Sequence, residues 1–373
     1  MKNLRQLVVV TLVLLFVFVG AWLILLKQNR AEPGQQTPPS TKTENPADAA
    51  GKTTPSTTPL DLSPAAQLAR ILDKLRAGTH SPAELDAFRR ALLAADPAQA
   101  IAAIVKFLAT GQDALTGESF ALGKGGELGG APTLRVLLLD ILGRICKTTE
   151  GPEAAAVSRA LLEKKTSADE WAVALRNVAW GTPGDRAFLA AKSREMLHYQ
   201  PWRQQPSGGF LEAFDVIVFS RDATFVTDLA EIVRGDDKTL QRGAGMALDR
   251  LAEMAPLDVM NFLNTNRAEL ADKPFLRADY FSKADLSQPA QRAALEAYLS
   301  RTDVDAREKG KLLAVLASPG SFAGDTLVTD PPPEEDPPQR SAGLKQAVGE
   351  WLKTNRFPEL NPSLQQLQER LAQ

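Results

Sequence analysis

Residues 7–26 read LVVVTLVLLFVFVGAWLILL, a run of twenty positions without a charge, and no other feature restricts the organisation of the chain as strongly. At 1.5 Å rise per residue, a helix of that length spans roughly 30 Å, the hydrocarbon thickness of a bilayer. Its β-branched residues are mediocre helix formers in water. In lipid, however, every backbone N–H and C=O must be satisfied within the segment, so the medium dictates a helix. The run predicts one transmembrane span anchored by Leu7, Leu14, Phe16, Phe18 and Leu26, with Trp22 near the distal interface, where an indole is favoured. Lys2 and Arg5 would also suit the start of a secretory signal. The apolar stretch is longer than a usual signal core, though, and ends in Leu-Lys-Gln-Asn-Arg instead of a small-x-small site, so an uncleaved anchor is expected. The basic residues on its two sides, Lys2 and Arg5 against Lys27 and Arg30, give a slight bias that places residues 1–6 in the cytoplasm and the bulk of the chain outside it.

Residues 27–63 are dominated by Pro, Thr, Ser, Gly and Ala and hold almost no large apolar side chain. Such a segment buries too little surface to offset the entropy of ordering and predicts a disordered linker. At up to 3.1 Å per residue, the about 30 residues of its proline-rich part, from Ala31 to Ser63, would reach as far as roughly 90 Å from the bilayer.

Composition narrows the function of the chain beyond this linker. Forty-three basic and forty-five acidic residues leave a net charge of −2 with no basic stripe, which argues against nucleic acid as a partner. One cysteine, Cys146, and two histidines, His80 and His198, exclude an internal disulfide and leave few ligands for a metal site. Aromatic residues are only 6%, and Ala and Leu abound, a balance that favours close-packed helices over sheet.

From Ser63 onward the apolar residues recur with a period of 3.6. Ser63-Pro64, Ser81-Pro82 and Asp96-Pro97 each place a capping residue before a proline at the first helical position. The apolar sets Leu68/Ile71/Leu72/Leu75, Leu85/Phe88/Leu92/Leu93 and Ile101/Ile104/Val105/Leu108 come directly after them. Further helices are predicted at 132–147, 152–164, 168–180, 185–197, 208–220, 223–234, 238–253, 257–264, 289–300 and 303–317, with almost no alternating run that would make a strand. Paired, they make units of roughly 30 to 40 residues, the spacing of helical solenoids. The stretches LRVLLLDILG at 134–143 and LQRGAGMALD at 240–249, each with an early Arg and a small or aliphatic inner face, resemble the second helix of HEAT-like repeats. FVTDLAEIV at 225–233 with Gly235-Asp236-Asp237 resembles a first helix and its turn. The likeness covers about residues 98–264 and implies an all-α, irregular HEAT-like solenoid of antiparallel helix pairs, with a concave binding surface and no implied reaction. The expected organisation is therefore a cytoplasmic tip at 1–6, a span at 7–26, the linker at 27–63, a repeat domain at 64–328, an acidic proline-rich loop at 329–340 and capping helices at 341–373.

Few residues invite a chemical role. The loop GESFALGKGGELGG at 117–130 has five residues between Gly117 and Gly123-Lys124 where a phosphate-binding loop needs four, and Gly125 where that loop needs Ser or Thr, so a flexible connection is expected. His198, Tyr199 and Trp202 form a cluster that could line a ligand or partner contact, although a His at a helix end before Pro201 also suits a structural terminus. His80 reads as a turn residue and Cys146 as a small buried hydrophobe. The pairs Asp169-Glu170 and Asp236-Asp237 sit at helix starts, where carboxylates complement the dipole. The acids from Asp325 to Asp336 lack the spacing of a calcium loop. The sequence thus predicts no catalytic residue, cofactor or metal. It points to a non-catalytic, membrane-tethered scaffold or adaptor for a protein partner. An extracytoplasmic binder of a lipid, glycan or small molecule in an inter-helix groove is the alternative.

Overall fold

The computed structural model describes residues 63–318, 324–330 and 337–372. The predicted span with Leu7, Leu14, Phe16, Phe18, Trp22 and Leu26, and the linker up to residue 62, lie outside the described residues. Among the described residues no helix is long and apolar enough to cross a membrane.

The described residues are all-α apart from one small hairpin. The first three helices begin where the Ser-Pro and Asp-Pro pairs place them: α1 Pro64–Ala77, α2 Pro82–Ala94 and α3 Pro97–Ala109. In each, the side chain before the proline accepts a hydrogen bond from a first-turn backbone N–H, and at α2 Glu84 reaches back to Ser81 to complete a capping box. The central part comprises α4 Leu134–Thr149, α5 Glu153–Leu161, α6 Ala168–Gly181, α7 Arg186–Leu197, α8 Gln200–Gln204, α9 Gly208–Glu212 and α10 Phe214–Ser220. Then come α11 Phe225–Arg234, α12 Lys238–Met254, α13 Pro256–Thr265, α14 Pro274–Phe281, α15 Pro289–Leu299, α16 Ala306–Val315, α17 Pro337–Lys353 and α18 Asn361–Ala372.

Most of the packing is between helices that are near neighbours in the chain. Adjacent ones pair, as α5 with α6, α11 with α12 and α17 with α18 do. Next-but-one helices lie side by side, as α4 with α6, α10 with α12, α13 with α15, α14 with α16 and α16 with α18, and α6 against α9 and α7 against α10 reach one helix further. Helices α4 and α6 are buried on most sides, and the charged residues they bury, Asp140, Glu170 and Arg176, are paired.

Buried ion pairs tie the side-by-side helices together. Asp140 on α4 meets Arg176 on α6 at 2.6 Å, both with fully buried side chains. Asp215 on α10 pairs with Arg250 on α12, and Arg277 on α14 grips Glu308 on α16 through two bonds of 2.6 and 2.8 Å. The partners are 36, 35 and 31 residues apart. Leaving either partner of such a pair alone in the interior costs about 3–5 kcal/mol, so each pair permits one register of its two helices.

Three sequence expectations are corrected. The helix expected over 208–220 is two, because the backbone turns at Ala213 between α9 and α10. The short helices α8 and α14 add to the expected set. Residues 117–130 are ordered instead of a flexible connection: β1, Ala121–Leu122, pairs antiparallel with β2, Leu128–Gly130, around a 3-10 turn at Lys124–Gly126. A strap, residues 324–330, crosses back to α10, and α17 begins at Pro337.

Candidate functional site

Residues 113–133 leave α3 and return to α4, and both ends of the excursion are tied to α4. Asp113 Oδ1 accepts the Arg135 N–H at 3.0 Å, and Leu134 N–H donates to the Ala114 carbonyl at 2.9 Å. Its tip is held from below by the buried pair of α4 and α6. Asp140 Oδ1 accepts from Leu128 N–H at 3.0 Å and from Arg176 Nη1 at 2.6 Å, and the same Nη1 donates to the Gly126 carbonyl at 2.7 Å. Asn177 Oδ1 accepts from Arg176 Nη2 at 2.9 Å, while Asn177 Nδ2 donates to the Leu139 carbonyl at 2.9 Å. Burial pulls the Arg176 pKa down and Asp140 beside it pulls the other way, and a guanidinium keeps its proton in such a setting.

The strap closes over this tip. Val328 and Thr329 N–H donate to Asp215 Oδ2 at 2.6 and 2.8 Å, while the other oxygen of that carboxylate takes Arg250. Thr329 Oγ1 donates to the Asp215 carbonyl at 3.2 Å, Thr326 hydroxyl donates to the Thr329 carbonyl, and Leu327 is fully buried. Gly126, at φ +80°, lies so close that a β-carbon there would stand 2.1 Å from the Leu327 carbonyl oxygen. Only glycine fits, on grounds both of space and of the left-handed backbone.

Tip, strap and helices enclose a cleft of about 380 Å³. Trp180 and Phe219 supply its aromatic surface, Gly125 and the strap its rim, Lys147 one cation, and Asp325 and Asp330 two carboxylates. Two cations lie over Trp180, with Lys147 Nζ and Arg176 Cζ each 4.1 Å from its ring centroid. Behind Trp180 a cavity of about 210 Å³ reaches Cys146 and Asn177, and across the strap a cavity of about 110 Å³ is lined by Phe214, Met246 and Arg250. Cys146 is buried, with Sγ 3.8 Å from Glu153 Oε2, and burial pushes its thiol pKa up, away from the thiolate that a nucleophile needs. On the wall of the smaller cavity, burial raises the Glu212 pKa, with Asp215 adding to the rise.

The residues singled out in the sequence are placed elsewhere. His198 caps the end of α7, half-exposed, with Nε2 3.1 Å from Asp228 Oδ1. Tyr199 and Trp202 meet edge to face at 4.8 Å, and Trp202 meets Trp171 at 5.3 Å, so these two close up against α6 while His198 faces α11. None of the three lines the cleft. His80 Nε2 lies 2.9 Å from the Thr116 carbonyl at the base of the excursion. Asp169 accepts from Gly209 N–H and Ser207 hydroxyl, Glu170 grips Arg135, and Asp237 caps α12. Among the described residues no group of three or more His, Cys, Asp or Glu is placed to hold a metal ion.

Sequence reasoning missed the cleft because its parts are far apart in the chain. The glycine-rich tip and the acidic strap each stand out as a composition anomaly, but Trp180 and Phe219 read as ordinary helix residues. No protein-family model matches the chain, and neither the curated proteins nor the solved structures contain a significant match to it.

Proposed function

We propose that this chain is a membrane-tethered helical-repeat scaffold, an irregular HEAT-like solenoid held outside the cytoplasm by the apolar helix at 7–26, that binds a protein partner at the cleft between the glycine-rich tip and the strap. The observation that carries the reading is the cleft itself. Its walls come from residues near 125, 180, 219 and 328, and the buried network of Asp140, Arg176, Asp215 and Arg250 holds them in place before anything binds. A preorganised aromatic surface with fixed polar groups loses little entropy when a partner side chain enters it. The 31- to 36-residue spacing of the buried pairs supports a repeat of helix pairs, since it falls in the range of solenoid units.

A photo-reactive amino acid at the exposed Pro183, on the rim of the cleft, tests this in membranes of producing cells. The expected result is one discrete protein adduct that disappears with Trp180→Ala and is absent when the probe stands at Arg242, outside the cleft. Identical adducts from both positions would remove the cleft as a partner site. A second reading, a small-molecule binder, is favoured by the volume of about 380 Å³, which lies in the range of ligand pockets. Native mass spectrometry of the purified chain would then show a retained mass that is lost with Trp180→Ala.

A further inference from the structure

We propose that the groove beneath the strap is a binding site for a peptide segment, filled here by the chain's own residues 324–330 and taken over by a segment of the partner that carries the same Leu-x-Thr spacing. This rests on the scaffold reading and names how the partner is recognised. The socket for such a segment is held by groups outside the strap. Asp215 on α10 is fixed by Arg250 on α12, and the Gly126 carbonyl at the tip is fixed by Arg176 on α6. The strap lies on this socket as a ligand would. A bend at Leu327-Val328 turns two consecutive N–H groups, those of Val328 and Thr329, onto Asp215 Oδ2 at 2.6 and 2.8 Å. Thr329 Oγ1 donates to the Asp215 carbonyl at 3.2 Å, and Leu327 enters the interior. Recognition therefore uses main-chain donors, which almost every peptide has, and two side chains, Leu327 and Thr329, which select.

The strap holds this place weakly for its length. Of its seven residues only Leu327 and Thr329 are buried, while Gly324, Asp325 and Asp330 are exposed. Ordering seven residues costs conformational entropy on the scale of what one buried leucine and three hydrogen bonds contribute, so the strap is displaceable. Nor does it fill the groove. Asp325 and Thr326 line both the cleft of about 380 Å³, walled by Trp180 and Phe219, and the cavity of about 110 Å³, walled by Phe214, Val218 and Met246. A partner segment that keeps Leu-x-Thr and carries a larger apolar side chain in place of Thr326 gains contacts that the strap lacks. Gly126 sets the fit of the backbone: without a β-carbon it lets the Leu327 carbonyl pass at a distance that no other residue allows. The strap is thus an internal competitor, and the partner must outbid it to enter.

The test uses the full chain in detergent micelles and, as probe, a fluorescently labelled, capped peptide of residues 324–330, GDTLVTD, followed by anisotropy. Leu327→Asp expels the strap, and circular dichroism equal to that of the intact chain shows that the helices remain. If helicity falls, Thr329→Pro takes its place, since it removes the N–H and the hydroxyl donated to Asp215. The peptide is expected to bind this open variant and to bind the intact chain at least about tenfold more weakly, because the strap competes for the groove. Adding Gly126→Ala to the open variant should abolish binding, as should aspartate in place of leucine in the peptide. A peptide with leucine in place of Thr326 should regain about tenfold on the intact chain. No binding to the open variant, equal binding to open and intact chains, binding that survives Gly126→Ala or the aspartate peptide, or no gain from the added leucine would overturn the proposal. If the peptide fails on the open variant while the Pro183 adduct persists in the intact chain, the cleft stands as a partner site and the peptide groove falls.

Discussion

Replacing Gly126 by alanine separates the contribution of the strap from the ordinary cost of putting a side chain into a left-handed turn. Gly125 and Gly126 are neighbours with similar backbones, at φ +66° and +80°, but nothing lies within 4 Å of a β-carbon on Gly125, whereas one on Gly126 would meet the Leu327 carbonyl oxygen at 2.1 Å and Trp180 at 3.1 Å. Each alanine incurs about 1–2 kcal/mol for the left-handed conformation. Only Gly126→Ala must also displace the strap, because the obstacle is backbone and cannot rotate away. Loss of the burial of Leu327 amounts to about 1.5–3 kcal/mol. Weakening one hydrogen bond to Asp215 adds about 1 kcal/mol. The two variants should therefore differ by about 2.5–4 kcal/mol, a difference too large to arise from the turn alone. Thermal unfolding of both variants, followed by circular dichroism, gives the ranking. Amide exchange gives the location: Val328 and Thr329 should lose protection in Gly126→Ala and keep it in Gly125→Ala. If the two variants melt together and the Val328 and Thr329 amides stay protected in both, the strap does not depend on the close approach at Gly126 and the reasoning fails.

Other consequences are open to measurement. Arg176→Met should destabilise the body by about 3–5 kcal/mol, whereas Asp140→Leu/Arg176→Met should recover much of that loss, as seen in paired thermal melts. Burial, with Glu308 hydrogen-bonded to Tyr298, holds the Tyr280 and Tyr298 phenols un-ionised far above their ordinary range. Stability linked to these groups is present below pH 10 and is lost as pH rises beyond it, so phenolate absorbance from them should appear together with loss of helicity and not before. Arg301 holds the Asp303 carboxyl at about 2, so its contribution is intact above pH 3.8 and fades as pH falls toward 2. Carbon-detected NMR should find that midpoint in the native chain and a return toward 3.8 in Arg301→Ala. Removal of residues 1–63 should release the body from the membrane fraction, and a truncated protein that still sediments with membranes would refute the anchor.

The fold is legible where local rules act alone. Ser63, Ser81 and Asp96 before their prolines announce three helix starts. Helix α14 is silent in the sequence because Lys273-Pro274 offers no capping side chain and the helix has only eight residues. The break at Ala213 leaves the apolar pattern nearly in phase, so periodicity does not register it. The cleft is hidden for a different reason. Asp215 receives the Val328 N–H from 113 residues away, and nothing in either local sequence names the other. The Tyr199 and Trp202 cluster is conspicuous because aromatic density is visible in a sequence, but their edge-to-face contacts tie α8 to α6 and leave the cleft to Trp180.

A stack in which each helix meets only near neighbours can be assembled progressively as the chain emerges, one pair upon the last. The clasp between Asp215 and the strap departs from that order, since the middle of the body is completed by residues made more than a hundred positions later. A chain paused or cut before Leu327 would carry Asp215 and Arg250 without their cover and the cleft without one wall. The shape of the cleft thus depends on a part of the body that is made late, although most of the helices around it precede that part.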